Sequence, residues 1–157
     1  MTENKKENLN NRMIKFLFEG APVRGACVQM AEEWQEMIKF HHYPENAAAL
    51  LGLFTAGALL LSSTIKFEGS LILQVKGSGP IAFIYAEVRN PMSVRAMAEI
   101  REGAEIKPEM DLQELINKDG KGLCALILAP KDRSPGVQPY QGMGSLASTS
   151  VAENLEN

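Results

Sequence analysis

The hydrophobic pattern of the chain is dominated by a stretch without charged side chains, residues 47–65. A helix that is apolar on all sides belongs in a protein core or in a membrane, and this stretch approaches the roughly 20 residues that a bilayer span requires. Small residues such as Gly52 and Gly57 interrupt the leucines, and no basic or aromatic belt flanks one end. The pattern therefore predicts a long buried helix, which Asn46 can cap.

Alternating apolar and polar positions, or short apolar runs bounded by turn residues, predict strands before and after this helix. The predicted strands cover residues 13–18, 23–29, 70–76, 81–89, 123–129 and 141–146. Short helices are predicted at residues 32–40 and 111–117, turns at residues 77–80 and at Asn90-Pro91, and residues 93–102 fit a helix or a strand. Helices grouped among strand hairpins indicate an α+β fold, with antiparallel sheets packed around the long central apolar helix and short additional helices.

Length, charge and cysteine content narrow the class of protein. The 157 residues suffice for one domain with a substantial core; we expect that domain at residues 12–157, after a disordered polar tail at residues 1–11. The formal net charge of −3 argues against nucleic acid as a partner. Two cysteines form no disulfide framework, and the polar N-terminus has no signal-peptide core. These features favour a cytoplasmic protein without a membrane partner.

No residue pattern indicates an enzyme. Residues 77–80, Gly-Ser-Gly-Pro, lack the spacing of a phosphate-binding loop and precede a strand, so they predict a hairpin turn. His41 and His42 are adjacent and have no second ligand cluster, so metal binding is disfavoured. Cys27 and Cys124 lie in apolar strand patterns, where we expect buried, inert thiols. We therefore predict no catalytic, cofactor-binding or metal-binding residue.

The remaining candidate is a surface on the predicted strand at residues 81–89. Strict alternation places Ile81, Phe83 and Tyr85 on one face, and the opposite face is apolar as well. Such a strand is either buried on both faces or presents one face to a partner, because large exposed apolar patches mark interaction sites. Ile81, Phe83 and Tyr85 are therefore the candidate client or partner face, with simple burial as the alternative.

A colinear series of short segments resembles a known family. The first, residues 16–25, reads Phe-Leu-Phe-Glu-Gly-Ala-Pro-Val-Arg-Gly. The others are Trp34-Gln35-Glu36, His42-Tyr43-Pro44, residues 50–61, residues 64–69, residues 74–80, Arg95-Ala96-Met97-Ala98 and Pro139-Tyr140-Gln141-Gly142. In this order they resemble the N-terminal substrate-binding domain of the bacterial redox-regulated chaperones, the heat-shock protein thirty-three family. The resemblance covers residues 12–157 and implies a strand at residues 93–102.

The resemblance implies an ATP-independent holdase that binds unfolded proteins under oxidative or heat stress. The family ends in a zinc module of four cysteines that oxidation opens, and neither Cys27 nor Cys124 matches those cysteines. The resemblance therefore implies a truncated domain, incomplete at its C-terminus, without its own zinc or redox switch. Two alternatives remain open: a non-catalytic interaction domain that dimerises through open strand edges, and a thiol-dependent enzyme.

Overall fold

The computed structural model describes residues 12–89, 93–132 and 134–157; the tail at residues 1–11 and the turn at Asn90-Pro91 predicted above lie outside them. The strands are β1 (Arg12–Leu17), β2 (Arg24–Gln29), β3 (Gly69–Lys76), β4 (Ile81–Arg89), β5 (Ser93–Ile100), β6 (Leu123–Pro130) and β7 (Tyr140–Ser145). The helices are α1 (Glu32–Ile38), α2 (Glu45–Thr64), α3 (Leu112–Ile116) and α4 (Val151–Glu156). This is the predicted α+β architecture, and residues 93–100 are a strand, as the resemblance implied.

Helix α2 is the central element of the core. By length and composition it could also cross a membrane, but one side of it is packed inside the fold. The buried residues of α2 are Ala47, Leu50, Leu51, Phe54, Thr55, Ala58 and Leu59. The hydroxyl of Thr55 donates to the carbonyl of Leu51 at 2.7 Å, so this buried polar group is satisfied within the helix. The arrangement is that of a core helix.

The predicted cap of α2 is wrong. The helix begins at Glu45, directly after Pro44, so Asn46 lies inside the first turn. Pro44 is the residue at the N-cap position, and its side chain makes no capping hydrogen bond. The Asn46 amide instead donates to the carbonyls of Lys107 and Met110, at 2.8 and 3.3 Å. It thereby ties the start of α2 to the loop before α3.

Strands β3 to β7 form an antiparallel sheet in the order β5-β4-β3-β6-β7. The face toward α2 supplies the sheet's share of the core. The fully or nearly buried residues on it are Leu71, Leu73, Val75, Ile81, Ile84, Ala86, Val88, Ala98 and Cys124. The sequence predicts β3, β4 and β6 well because each is apolar at every position that faces the helix.

The β3–β4 turn at residues 77–80 packs against α3. A Cβ atom at Gly77 would lie 1.5 Å from the carbonyl oxygen of Ile116, so glycine is required by the close approach of the two backbones. The Arg101 guanidinium donates to the carbonyls of Gly77 and Gly79, at 2.7 and 2.9 Å. The turn is thus a structural hairpin connection, as the sequence predicts.

Strands β1 and β2 form a separate two-stranded antiparallel sheet, paired from Arg12 with Gln29 to Leu17 with Arg24. β2 contacts α2, and Met13 and Val28 pack against the core from one face of the hairpin. On the other side of the molecule, α4 contacts α2. A Cβ atom at Gly57 would lie 2.4 Å from Leu155, so the small residue allows α4 to approach closely.

Candidate functional site

A β-bulge in β4 corrects the predicted partner face. Ile81 pairs with Ile100 and Phe83 pairs with Glu99, so the register shifts between them and Ala82 has no partner opposite it. An extra residue reverses the alternation of side chains. Ile81 therefore faces α2 and is 0% exposed, on the opposite face from Phe83 and Tyr85. The prediction that Ile81 shares their face is wrong; the role of Phe83 and Tyr85 in binding stays a prediction.

Phe83 and Tyr85 lie half-buried on the outer face of the five-stranded sheet. Their ring centroids are 6.2 Å apart, and the Lys76 ammonium lies 5.7 Å from the Phe83 ring centroid. Met97, opposite Tyr85, is exposed. Aromatic and charged groups are mixed on this face, so a partner could cover only a small apolar area there.

Beside the aromatic pair lies a charge cluster around Glu87. Its side chain is 4% exposed and accepts from Arg89 at 2.7 Å and Arg95 at 2.9 Å, and the Tyr85 hydroxyl donates to it at 3.0 Å. Burial alone would raise the pKa of Glu87, but hydrogen bonds from Arg89, Arg95, Tyr85 and Ser70 outweigh it and lower the pKa to about 2. Burial, followed by the bond to Glu87, raises the pKa of Tyr85. The cluster links β4 to β5 through hydrogen bonds between charged groups, and the lowered pKa keeps the Glu87 carboxylate ionised at neutral pH.

Among the described residues, a group of exposed apolar side chains lies on the β1–β2 hairpin and the residues that join its strands. We call this set the hairpin surface; its members are Ile14, Phe16, Leu17, Phe18 and Val23. Phe16 lies over Gly25, where an added Cβ atom would meet the ring at 2.2 Å, and its ring packs edge-on against that of Phe18 with centroids 5.7 Å apart. The hairpin surface was missed because sequence alternation shows that both faces of β1 carry apolar residues but does not show which face is covered.

The two cysteines differ, and one expectation about them is wrong. Cys124 is buried, and burial raises the pKa of its thiol to about 11. Cys27 is exposed because it pairs with Ile14 on the uncovered face of the two-stranded sheet. The apolar pattern around Cys27 was correct for a strand, but α2 covers the hairpin from one side only.

Metal ligands are not grouped in the part of the chain that the structure describes: no three His, Cys, Asp or Glu side chains lie together there. The imidazole of His41 stacks on Tyr43 with centroids 5.0 Å apart. With two cysteines in the whole sequence, the chain does not supply the donor set of a four-cysteine zinc site.

A cleft of about 580 Å³ lies between β1, the C-terminal end of α2 and the sheet. Its floor is apolar and includes Met13, Leu71 and Leu128. Lys15 and Lys66 line it, together with Arg89. Such a combination of apolar floor and basic rim can bind an extended segment that carries both apolar and acidic side chains.

Comparison with known proteins identifies the family. A family model described as "Hsp33 protein" matches residues 11–157. The chain is 35% identical over 150 residues to the 33 kDa chaperonin of Chromobacterium violaceum, covering 96% of this chain and 49% of that protein. It is 38% identical over 150 residues to the 33 kDa chaperonin of Neisseria gonorrhoeae, covering 96% and 48%. The chain belongs to the Hsp33 family, and it spans about half the length of the curated relatives it matches.

A solved structure supports the fold. The 33 kDa chaperonin of Thermotoga maritima superposes with a TM-score of 0.69 at 22% identity, covering 91% of this chain and 48% of that one. At this identity the likeness shows the fold alone, and it confirms the α+β architecture that the sequence predicts.

Proposed function

We propose that this chain is the client-binding part of an ATP-independent molecular chaperone, a holdase that binds unfolded proteins under oxidative or heat stress. The observation that carries the proposal is the hairpin surface, on which Phe16 is 44% and Phe18 56% exposed. Membership of the Hsp33 family supports it. Soluble proteins rarely leave aromatic and aliphatic side chains clustered and uncovered unless they bind something.

The mechanism needs no reacting group. A non-native client that covers apolar side chains gains about 25 cal/mol per Å² of apolar surface removed from water. Binding stops when the client refolds and buries the same residues itself, so nucleotide hydrolysis is not required for capture. Capture by apolar contact also contains no redox step. We place the protein in the cytoplasm, with unfolded proteins, rather than nucleic acid or membrane, as partners.

Light scattering of a heat-denatured client tests the proposal. We expect one equivalent of the chain to suppress aggregation without ATP and equally under reducing and oxidising conditions. The variant Phe16→Ser/Phe18→Ser removes the main apolar area and should lose most of the suppression. Met143→Ser changes an apolar position on β7 that is 67% exposed; it is the control and should retain suppression. Full suppression by the double variant would refute the hairpin surface as the client site.

A second candidate function is a non-catalytic dimerisation domain, which open strand edges favour. Within the described ranges, β7 pairs with β6 alone and β1 with β2 alone, and unpaired edges invite association. The edge of β5 is partly covered, because the N–H of Ala98 donates to the Tyr43 hydroxyl at 3.1 Å. Sedimentation equilibrium tests this candidate: a monomer at all concentrations would exclude it.

A thiol-dependent enzyme is the third and least supported candidate. An activated nucleophile needs a lowered pKa and access, and Cys124 has neither. Alkylation followed by mass spectrometry should modify Cys27 readily and Cys124 only after unfolding. Fast modification of Cys124 in the native state would revive this candidate.

A further inference from the structure

The cleft beside β1 combines a strand edge with an apolar floor. β1 pairs with β2 along one edge, and no strand of the described chain pairs with its second edge. The cleft is lined by Met13 and Lys15 of β1 but by no residue of β2. The cleft therefore lies against the face of β1 that carries Met13 and Lys15, next to the second edge of this strand, where backbone N–H and C=O groups are open to an added strand.

The charged side chains that line the cleft are all cationic. Lys15, Lys66 and Arg89 line it, and no lining residue carries a carboxylate. Arg89 is bound to Glu87, whereas the ion pairs of the described residues include neither lysine. Two uncompensated cations next to an apolar floor favour a ligand that is apolar at one point and anionic at another.

The spacing of Met13 and Lys15 along β1 sets the order in which a bound segment would meet the apolar floor and the cationic group of the cleft. Met13 and Lys15 are two residues apart and lie on the same face of the strand, where Met13 packs against the core. Side chains directly opposite each other on neighbouring strands interact in pairs. A strand added to β1 would therefore place one side chain opposite Met13 and another, two positions away, opposite Lys15.

We propose that an extended client segment with the pattern apolar-x-acidic adds to the free edge of β1, inserts its apolar side chain over Met13 and pairs its carboxylate with Lys15. This inference rests on the proposed function and specifies the client class that the chain prefers. The segment gains backbone hydrogen bonds from β1 and apolar contact from the floor of the cleft. Lys66, outside any strand, provides a second cation for a neighbouring carboxylate.

Fluorescence anisotropy with labelled eight-residue peptides tests the proposal on the whole chain. A Val/Thr-rich peptide with Val-Thr-Glu at its centre should bind more tightly than the same peptide with Val-Thr-Lys. Lys15→Glu should weaken the Glu peptide and strengthen the Lys peptide, each by about three- to tenfold, as expected for cross-strand charge pairs. Lys121→Glu carries the same charge change in the separate cleft between β3 and β6 and should leave both affinities unchanged.

A backbone-methylated Glu peptide separates strand addition from side-chain contact. Methyl groups on the amides of one edge should abolish binding, and methyl groups on the opposite edge should be tolerated. Equal loss of affinity with both methylation patterns, or no loss with either, would overturn the proposal. Lys66→Glu serves as a second variant, because it changes the charge of the cleft without altering β1.

The remaining outcomes distinguish this inference from the holdase function. Suppression of client aggregation without sequence-dependent peptide binding would overturn the inference and leave the holdase intact. Loss of both would refute both. Self-association that Lys15→Glu abolishes and the Glu peptide fails to displace would show that a second copy of the chain fills the cleft, and it would overturn the client assignment.

Discussion

The five-stranded sheet and the β1–β2 hairpin use apolar residues in opposite ways. The sheet directs its apolar face toward α2, where Leu73 and Ile84 are almost completely buried. The hairpin contacts α2 with one face and leaves Ile14 and Phe16 exposed on the other. Stability therefore resides mainly in the sheet and α2, whereas the hairpin is available for binding. If this division holds, matched substitutions in the two regions must have unequal effects.

The largest contrast is expected between Phe54→Ala in α2 and Phe16→Ala in β1. Phe54 is 0% exposed in the centre of the core, so its truncation should lower the free energy of unfolding by about 3–5 kcal/mol. Phe16→Ala should cost less than about 1 kcal/mol, since Phe16 is 44% exposed and its ring contacts the hairpin rather than the core. Urea denaturation monitored by circular dichroism measures both, and equal losses would contradict the division between the two regions.

Two glycine substitutions sharpen the comparison. Gly77→Ala drives a methyl group into the backbone of Ile116, which cannot move without displacing α3, so we expect a loss of about 1–3 kcal/mol. At Gly25, the atoms nearest to an added methyl group belong to the ring of Phe16, which can rotate away into solvent at little cost. Thermal denaturation should separate the two variants clearly. Gly144→Ala, where the added atom meets nothing within 4 Å, is the control.

The next smaller effect is expected in the pH dependence of the free energy of unfolding, through Glu87 on the outer face of the sheet. Glu87 has a pKa of about 2 in the folded chain and an ordinary value of 4.5, so its stabilisation is complete above pH 4.5 and is lost as the pH falls from 4.5 toward 2. After allowance for solvent around the exposed arginines, we expect about 1–2 kcal/mol. Urea midpoints between pH 6 and pH 2.5 should show that Glu87→Gln removes this part of the acid sensitivity. An identical pH profile for the variant would contradict the role of the cluster.

The smallest effect is expected at the tip of the hairpin. Leu17 is 81% exposed, so Leu17→Ser should change the free energy of unfolding by no more than about 0.5 kcal/mol. The melting temperature should also be independent of protein concentration in both proteins. A larger loss, together with a midpoint that rises with concentration in the parent protein but not in Leu17→Ser, would show that the hairpin tip is covered in solution by a second copy.

The elements that the sequence predicts correctly have local signals. The central helix follows from an uncharged run, β3 from apolar alternation, β6 from a short continuous apolar run, and the β3–β4 turn from its glycines. Each of these signals lies in residues that are adjacent in sequence, so the elements can be predicted without the tertiary contacts. The segment 93–100 lacks such a signal, because its alanines and methionine suit a helix, and pairing with β4 decides that it is a strand.

The candidate site depends on contacts that no local pattern contains. Exposure of Cys27 follows from which face of the hairpin α2 covers, and the cleft beside Lys15 follows from the position of β1 relative to β3 and β6. Helix α2 begins at Glu45, before the start predicted from a capping Asn46. The Asn46 amide donates instead to the distant loop before α3. Strand identity could therefore be predicted, but the assignment of faces could not.

The unpaired Ala82 has a consequence for how β4 can change over evolutionary time. The alternation of side chains changes at Ala82. Ile81 and Ile84 therefore lie on the buried face of the sheet, and Phe83 and Tyr85 lie on its outer face. Losing or gaining one residue in this segment would exchange interior and exterior for everything up to the next turn. Point substitutions on the outer face, away from the Glu87 cluster, would leave the core unchanged, whereas length changes in β4 would alter the outer face and the core together.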